Sequence, residues 1–309
     1  MINKKEIRFI LPAHAWTSKY MKANGYDVSD PYTGNNVFFR LIRELFFRFH
    51  FPFLQIWFNK NNITTKPILF VYEALIIPEY IEWLHKKNPS SRIILYYENP
   101  VNVSVNPNKI SSSFCEKWTS DIKDAKKFNM NYYYGGGYNS QWKVKKENPV
   151  IDIFYVGKDK GRLKYILKLK KEFKRIGLIA YFHIVAPRSY MKKFNSCYKA
   201  FMPYSEVLTY LGKTKAILHL KDGCQSGITI RIQESLLHEI KLITDDKDIV
   251  SYDFYNPKNI FIIGIDDIES LPSFLKIPFQ RPNSLFYKRP FYADMIKNIV
   301  YTEIGDNFQ

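Results

Sequence analysis

The sequence predicts an α/β protein made of two halves, each built around a parallel, doubly wound sheet. Short apolar runs rich in β-branched and aromatic residues alternate with segments whose apolar residues recur at helical spacing. This alternation is typical of parallel strands joined by crossover helices on both faces of a sheet. A glycine- and lysine-rich stretch over 132–149 lies between the halves and reads as a linker. The length of 309 residues also favours two domains of about 150 residues each.

The N-terminal half shows three strands that run into polar loops. They are "EIRFILPAHAW", "KPILFVYEAL" and "SRIILYYENP". The first follows two lysines, as in a signal peptide, but its apolar run is short and lacks a small-residue cleavage site, so we interpret it as a strand. Helices are predicted for "EYIEWLHKKNP" and for "SDIKDAKKFNM", the latter with Ser120 as its N-cap.

The C-terminal half has the clearer pattern. Strands are predicted for "VIDIFYVG", "LIAYFHIVA", "AILHL", "KLITDD" and "NIFIIG", and helices for "RLKYILKLKKEFKRIG", "YSEVLTYLGKTK" and "DIESLPSFLK". Between two of the strands, "DGCQSGITIRIQESLLHE" reads as a glycine loop that leads into a helix. Glycine lets main-chain N–H groups come close to a ligand, and a helix start favours an anion. In such sheets ligands bind at the carboxyl ends of the strands, where this loop lies.

The formal net charge of +17 is the strongest signal in the composition. It predicts a polyanionic partner, such as a phosphorylated substrate or an anionic membrane surface. Nucleic acid is not expected, because no recognised binding motif accompanies the charge. Charges interrupt every apolar run before the roughly 18–20 residues that cross a bilayer. Three scattered cysteines predict neither a disulfide framework nor a zinc site, which fits the reducing cytoplasm.

A basic aromatic stretch, "NNVFFRLIRELFFRFHFPFLQIWFNK", occupies residues 35–60. An amphipathic helix with arginines among large apolar side chains can lie at a membrane surface. The alternative is a buried helix that packs the first domain. Pro52 would break such a helix in two. The net charge favours contact with anionic lipid, so we expect a cytoplasmic protein that is peripheral on the inner face of the cytoplasmic membrane.

Several motifs of the C-terminal half together resemble bacterial glycosyltransferases of the GT-B fold. These are "VGKDKGR", "MPYSEV", "SGITIRIQES" and "KLITDD", in this order over about residues 150–265. The resemblance is closest to enzymes of lipopolysaccharide or capsular polysaccharide synthesis and is weak in the N-terminal half. It implies two Rossmann-like domains facing each other across a cleft. The expected organisation is an acceptor-binding domain over 1–145, a nucleotide-sugar-binding domain over 146–285, and a helical segment over 286–309 that packs back towards the first domain.

The resemblance also implies a donor site. Its residues would be Gly157, Lys158, Lys160, Arg162, Tyr204, Gly223, Gly227, Thr229, Arg231 and Glu234. The basic residues, Arg231 above all, would neutralise the diphosphate, since guanidinium makes paired bonds to phosphate oxygens. Glu234 would hold the ribose hydroxyls. Each role has a structural alternative: a solvated helix start for the lysines, turn geometry for the glycines, an exposed helical glutamate, and ordinary packing for Tyr204.

One position departs from the family pattern. Many retaining GT-B enzymes carry a second glutamate near the transferred sugar, and here that position is Ser226. A serine cannot supply the same charge, so we expect an inverting reaction. No metal is expected, because basic residues can balance the diphosphate and no clear Asp-x-Asp motif is present.

An inverting reaction needs a general base on the acceptor side. The candidates are His14, Asp30 and Glu98, with Glu73 and Asp27 as weaker choices, because each follows a predicted strand or lies in a loop of the N-terminal half. The residues do not separate them.

Three functions therefore remain open. The first is a glycosyltransferase of the hexosyltransferase type that moves a sugar from a nucleotide-sugar to a lipid-linked or growing surface glycan, such as lipopolysaccharide, capsule or O-antigen. The second is a non-catalytic GT-B-like partner of another transferase. The third is a different nucleotide-binding enzyme, such as an epimerase.

Overall fold

The computed structural model describes residues 3–13, 15–187, 191, 195–223 and 227–301. Among these the chain forms two compact units. The first contains residues 3–133, Gly227 and residues 297–301, and the second contains residues 134–223 and 228–296. No helix in the described ranges is both long and apolar enough to cross a bilayer.

The first unit is built on a six-stranded parallel sheet. Its elements are β1 (Ile7–Ile10), α1 (Trp16–Ala23), β2 (Asp27–Ser29), α2 (Val37–Arg48), β3 (Ile68–Tyr72), α3 (Pro78–Lys87), β4 (Arg92–Tyr97), β5 (Glu116–Thr119), α4 (Ile122–Phe128) and β6 (Asn131–Tyr132). The strand order is β2-β1-β3-β4-β5-β6, and every neighbouring pair is parallel. The order therefore reverses direction between β1 and β3.

The second unit has a six-stranded parallel sheet of its own. Its elements are β7 (Ile151–Lys158), α5 (Leu163–Arg175), β8 (Ala180–Val185), β9 (Tyr198–Lys199), α6 (Tyr204–Leu211), β10 (Thr214–His219), α7 (Ile230–His238), β11 (Lys241–Thr244), β12 (Ile260–Ile262), α8 (Leu271–Phe274) and α9 (Tyr292–Tyr301). The last residues of α9, 297–301, belong to the first unit. The strand order is β9-β8-β7-β10-β11-β12, with all pairs parallel.

Alternating side chains of the second sheet build an apolar core on each of its faces. Ile153 and Tyr155 of β7 pack with apolar residues of α5, whereas Phe154 packs with apolar residues of α6 and α7. Successive strand residues point to opposite faces, so a strand covered on both sides reads as a continuous apolar run. Parallel sheets in both units and helices on both faces confirm the predicted α/β class with two Rossmann-like units.

Two local predictions are corrected by the structure. The N-cap of α4 is Asp121 and not Ser120, because the Asp121 carboxylate accepts hydrogen bonds from the N–H groups of Lys123 and Asp124. The predicted linker over 132–149 is also packed in its first part, 132–140, whereas residues 143–149 are mostly exposed. A Cβ on Gly136 would lie 2.4 Å from the carbonyl oxygen of Pro290, so only glycine fits there. Helix α2 ends at Arg48, and a short 3-10 helix, Leu54–Trp57, follows Pro52, so the stretch is divided in two.

Candidate functional site

The order of the second sheet reverses direction between β7 and β10. Open α/β sheets bind ligands outside the carboxyl ends of their strands at this switch point. The loop after β7 and the loop that joins β10 to α7 lie there, and these two loops carry five of the ten predicted donor residues. The strand order thus indicates the carboxyl ends of β7 and β10, the same place that the motifs indicated.

The loop after β7 is a tight turn fixed by a buried carboxylate. Lys160 and Gly161 both have left-handed backbone angles, with φ of 47° and 80°. Asp159, 3% exposed, accepts a 2.5 Å hydrogen bond from the Tyr198 hydroxyl and a 3.3 Å bond from the Gly161 N–H. Lys158 ends β7 with its side chain exposed. The turn therefore presents Lys158 and Lys160 from a rigid base.

Arg162 joins this turn to the end of β10. Its Nη1 donates to the carbonyl oxygens of Leu220, at 3.1 Å, and Lys221. Lys160 forms a 2.5 Å ion pair with Asp222 across the same gap. Arg162 therefore binds the protein's own main chain.

The loop after β11 is tied to the end of β10 in the same way. Asp245 accepts a 2.7 Å bond from the Lys221 N–H, and the Lys221 ammonium contacts Asp246 and Asp248 at 2.6 and 2.8 Å. Neighbouring strand ends are thereby held in a fixed arrangement. These aspartates were not predicted as site residues, although a pair of acids after a buried strand was a visible signal.

His219 reports the electrostatics at the end of β10. It is buried, and its Nδ1 lies 3.0 Å from the Thr244 hydroxyl. The pKa of His219 is lowered to about 4, chiefly by burial. Asp246 opposes this shift, and the charges of Arg231, Arg162 and Lys221 contribute to it. Cations from both loops and from α7, together with Asp246, thus act on one buried imidazole.

Helix α7 contains an ion pair with a fully buried carboxylate. Glu234 is 0% exposed; its Oε1 accepts a 2.7 Å bond from the Tyr204 hydroxyl, and its Oε2 accepts from Nη1 of Arg231. Burial raises the pKa of Glu234, whereas Arg231 and Tyr204 oppose this. The structural alternative for Glu234, an exposed helical glutamate, is therefore wrong. Both of its oxygens are used inside the protein, and one holds the guanidinium of Arg231.

The pair continues into a chain of aromatic side chains. The Tyr204 hydroxyl lies 3.1 Å from that of Tyr138, which lies 2.9 Å from Nε2 of His238. The Trp142 ring packs on Tyr204 with centroids 4.1 Å apart. Burial lowers the pKa of His238 to about 4, which keeps the imidazole neutral near pH 7. No sequence signal pointed to Tyr138, Trp142 or His238, because their contacts span up to a hundred residues.

The remaining predicted donor residues occupy different positions. Gly157 lies inside β7 and pairs with β8. Gly223 is exposed with open space where a Cβ would be, and Gly227 belongs to the first unit. Thr229 is the N-cap residue of α7, and its buried Oγ1 has no hydrogen-bond partner among the described residues. Ser226 lies outside the described residues.

The candidate bases of the first unit are spread over several strand ends. Asp30 follows β2 and accepts a 2.8 Å bond from the Ala13 N–H. Glu98 follows β4, and its N–H donates to the buried Glu73, 2.9 Å away. Asp27 instead starts β2 and pairs with Arg8, near the amino ends of the strands and away from the other candidates. His14 lies outside the described residues.

Glu73 holds the turn after β4. Its carboxylate also accepts bonds from the N–H and the side-chain amide of Asn99, at 3.1 and 2.8 Å. Burial raises its pKa, and these hydrogen bonds oppose the rise. Such a carboxylate supports the neighbouring loop and does not face a substrate.

No cluster of three or more histidine, cysteine or acidic side chains suited to a metal ion occurs in the part of the chain that the structure describes.

No protein-family model matches the sequence, and no curated protein matches it. Among solved structures, the chain is similar to the spinosyn forosaminyltransferase SpnP, with 9% identity and a TM-score of 0.43 over 95% of this chain and 98% of that one. It is also similar to the glycosyltransferase SnogD from Streptomyces nogalater, with 12% identity and a TM-score of 0.40 over 95% and 98% of the two chains.

A third similar structure is a protein assigned as a UDP-N-acetylglucosamine 2-epimerase from Listeria monocytogenes, with 6% identity and a TM-score of 0.41 over 98% and 99% of the chains. With TM-scores below 0.5, these likenesses say nothing about what this chain acts on. Its fold class rests on its own two parallel sheets.

Proposed function

We propose that this chain is a glycosyltransferase whose second unit binds a nucleotide-sugar at the switch point between β7 and β10. The observation that carries the proposal is that Lys158 at the end of β7, Lys160 in the turn after it and Arg231 in the first turn of α7 all lie at this switch point. A nucleoside diphosphate is the leaving group of such a transfer, and positive charge stabilises it as it departs.

The donor-side roles follow from the contacts of each cation. Arg231 binds the diphosphate, with Glu234 as the positioning residue that fixes its guanidinium. Lys158, whose side chain is exposed, adds charge from the other side of the switch point. Arg162 shapes the site by holding the loop after β10. This assignment replaces the direct contact between Glu234 and ribose with an indirect role.

The reaction proposed is a metal-independent inverting displacement. An acceptor hydroxyl oxygen attacks the anomeric carbon while the bond from that carbon to the diphosphate oxygen breaks. The diphosphate leaves with the electron pair, and a carboxylate or imidazole of the first unit takes the hydroxyl proton. Asp30 is our first choice for this base, because it lines a cavity of the first unit, whereas Glu98 lies beside a turn that Glu73 holds.

The acceptor proposed is a lipid-linked or growing surface glycan, of the lipopolysaccharide, capsule or O-antigen kind, at an anionic membrane surface. Apolar side chains of α2 and the segment after it are exposed in the first unit. Phe38, Leu41, Phe49 and Phe53 are 68%, 57%, 61% and 80% exposed. Large exposed apolar residues in one segment with arginines are typical of a surface that contacts lipid. Peripheral attachment at the inner face of the cytoplasmic membrane follows from this proposal.

Calorimetric titration with nucleoside diphosphates and nucleotide-sugars tests the donor site. The variants are Lys158→Met and, as a matched control, Lys171→Met, which removes the same charge from an exposed position on α5. We expect one nucleotide class to bind wild type and Lys171→Met equally, and Lys158→Met about fivefold more weakly or worse. Equal binding to all three proteins, or none to any, contradicts the proposed site.

The second candidate is a non-catalytic binding partner of another transferase. The complete burial of Glu234 favours it, because a carboxylate that is 0% exposed does not reach ribose hydroxyls in this arrangement. Nucleotide binding without sugar transfer or hydrolysis, in the presence of membranes and glycan acceptors, would support this candidate over the enzyme.

A further inference from the structure

The first unit contains a polar cavity at its own switch point. The sheet order reverses between β1 and β3, and the cavity lies beside the segments that follow β1, β2 and β3. Its volume is about 160 Å³, and its polar lining comes from Asp30, Asn35, Arg40 and Arg43. A ligand site at this place is expected from strand order alone. The lining indicates which chemistry the site would accept.

Arg43 is a buried cation in the wall of this cavity. It is 6% exposed, its Nη1 donates to the carbonyl oxygen of Thr33 at 2.7 Å, and its guanidinium lies over the Tyr32 ring at 5.0 Å. A guanidinium has five N–H donors and stays protonated in proteins. In the described ranges no ion pair includes Arg43 or Arg40. The charge is thus largely held away from water without a carboxylate in direct ion-pair contact.

Arg40, the second arginine of the cavity, adds to the cost of burying the charge of Arg43. Burial lowers the pKa of Arg43, and the neighbouring charge of Arg40 also lowers it. Tyr32, Glu44 and Asp30 oppose this shift. Asp30 is the acid in the lining, and its Oδ1 is engaged by the N–H of Ala13. With two arginines against one aspartate, the lining carries a net charge of +1. An anion that accepts hydrogen bonds from a guanidinium would offset the cost of burying Arg43.

The helix that supplies both arginines is apolar on another side. Val37, Phe38, Leu41 and Leu45 of α2 are between 50% and 74% exposed. In a helix, residues at these spacings share a face that differs from the face of residues 40 and 43. A ligand with an oxyanion next to an apolar chain would meet both surfaces of α2.

We propose that the cavity lined by Asp30, Asn35, Arg40 and Arg43 binds a phosphoryl group of the acceptor, held by the two arginines. This inference rests on the proposed transfer function, because it names the acceptor's chemistry. It places the phosphoryl group beside Asp30, the proposed base, so the hydroxyl that receives the sugar belongs to the residue next to that phosphoryl group. A lipid phosphate and a soluble sugar phosphate both carry this group.

The test is direct titration of the full chain at low salt without nucleotide, using inorganic phosphate, glucose 1-phosphate and geranyl phosphate as probes. The variants are Arg43→Gln, Arg40→Gln and the matched control Arg48→Gln, which removes an exposed arginine from the same helix. We expect Arg43→Gln to weaken binding of every phosphate that wild type binds by about tenfold or more, Arg40→Gln to weaken it less, and Arg48→Gln to leave it unchanged.

The outcomes divide as follows. Stronger binding of geranyl phosphate than of glucose 1-phosphate assigns the phosphoryl group to a lipid, and the reverse order assigns it to a sugar. No binding of any probe, or equal losses in Arg48→Gln and Arg40→Gln, overturns the inference. If Arg43→Gln does not fold by circular dichroism, the comparison of Arg40→Gln with Arg48→Gln decides. Because no nucleotide is present, a failure here is separate from a failure of the donor site at Lys158.

Discussion

Replacing Arg231 with methionine should destabilise the protein in a pH-dependent way. In the variant the fully buried Glu234 carboxylate loses Arg231 and keeps the hydrogen bond from the Tyr204 hydroxyl, at 2.7 Å. Removing one partner of a buried ion pair costs about 3–5 kcal/mol. Protonation limits this cost, since neutralising a glutamate of pKa about 4.3 at pH 7 requires about 3.7 kcal/mol. The expected loss at pH 7 is therefore about 3 kcal/mol, allowing for water that reaches the side of Arg231.

The same limit gives the pH dependence. At pH 5 protonation requires only about 1 kcal/mol, so the destabilisation by Arg231→Met should shrink to about that value. Urea unfolding followed by circular dichroism at both pH values measures it. Adding Glu234→Gln should restore most of the stability at pH 7, because a neutral amide can stay buried beside Tyr204.

The control for this prediction is Arg175→Met, which breaks exposed ion pairs with Glu172 and Glu269. It should leave the unfolding curve nearly unchanged at both pH values, because solvent screens exposed pairs. An equal loss for Arg231→Met at pH 5 and pH 7, or no recovery in the double variant, would show that Arg231 does not compensate a buried charge.

Three further predictions concern other parts of the chain. Burial raises the pKa of Glu234 in the folded state, so the charged carboxylate destabilises the protein above that pKa. The stability of the wild type should therefore rise as the pH falls through this pKa. Glu234→Gln should flatten the rise in unfolding titrations. The double variant Phe38→Ser/Leu41→Ser should no longer sediment with anionic vesicles. The control Phe201→Ser, at an exposed phenylalanine of the second unit, should still sediment with them. Equal binding by both variants would exclude lipid contact through α2. Asp121→Ala should cost about 1 kcal/mol by removing the N-cap of α4, and Asp121→Asn should cost less, as thermal unfolding would measure; equal losses would rule out capping.

The core strands, and the strand ends at which the donor site is proposed, were predictable from local pattern. β3, β4, β7 and β10 are covered on both faces, so each appears as a run of apolar residues that stands out from its surroundings. The short strands β2, β5, β6 and β9 were not predicted. They have between two and four residues and gain their partners from neighbouring strands, which local sequence does not record.

By itself the sequence determined the α/β class, the two halves, and the places where cations and glycines follow strands. It placed Arg231 and Glu234 together because they are three positions apart on one helix. Only the tertiary structure decided how the charges are used. Long-range contacts bury Glu234 under Tyr204, attach Arg162 to the loop after β10, and bring Arg43 to a cavity beside Asp30. Burial and partner choice depend on segments far apart in the chain, so spacing along the sequence cannot specify them.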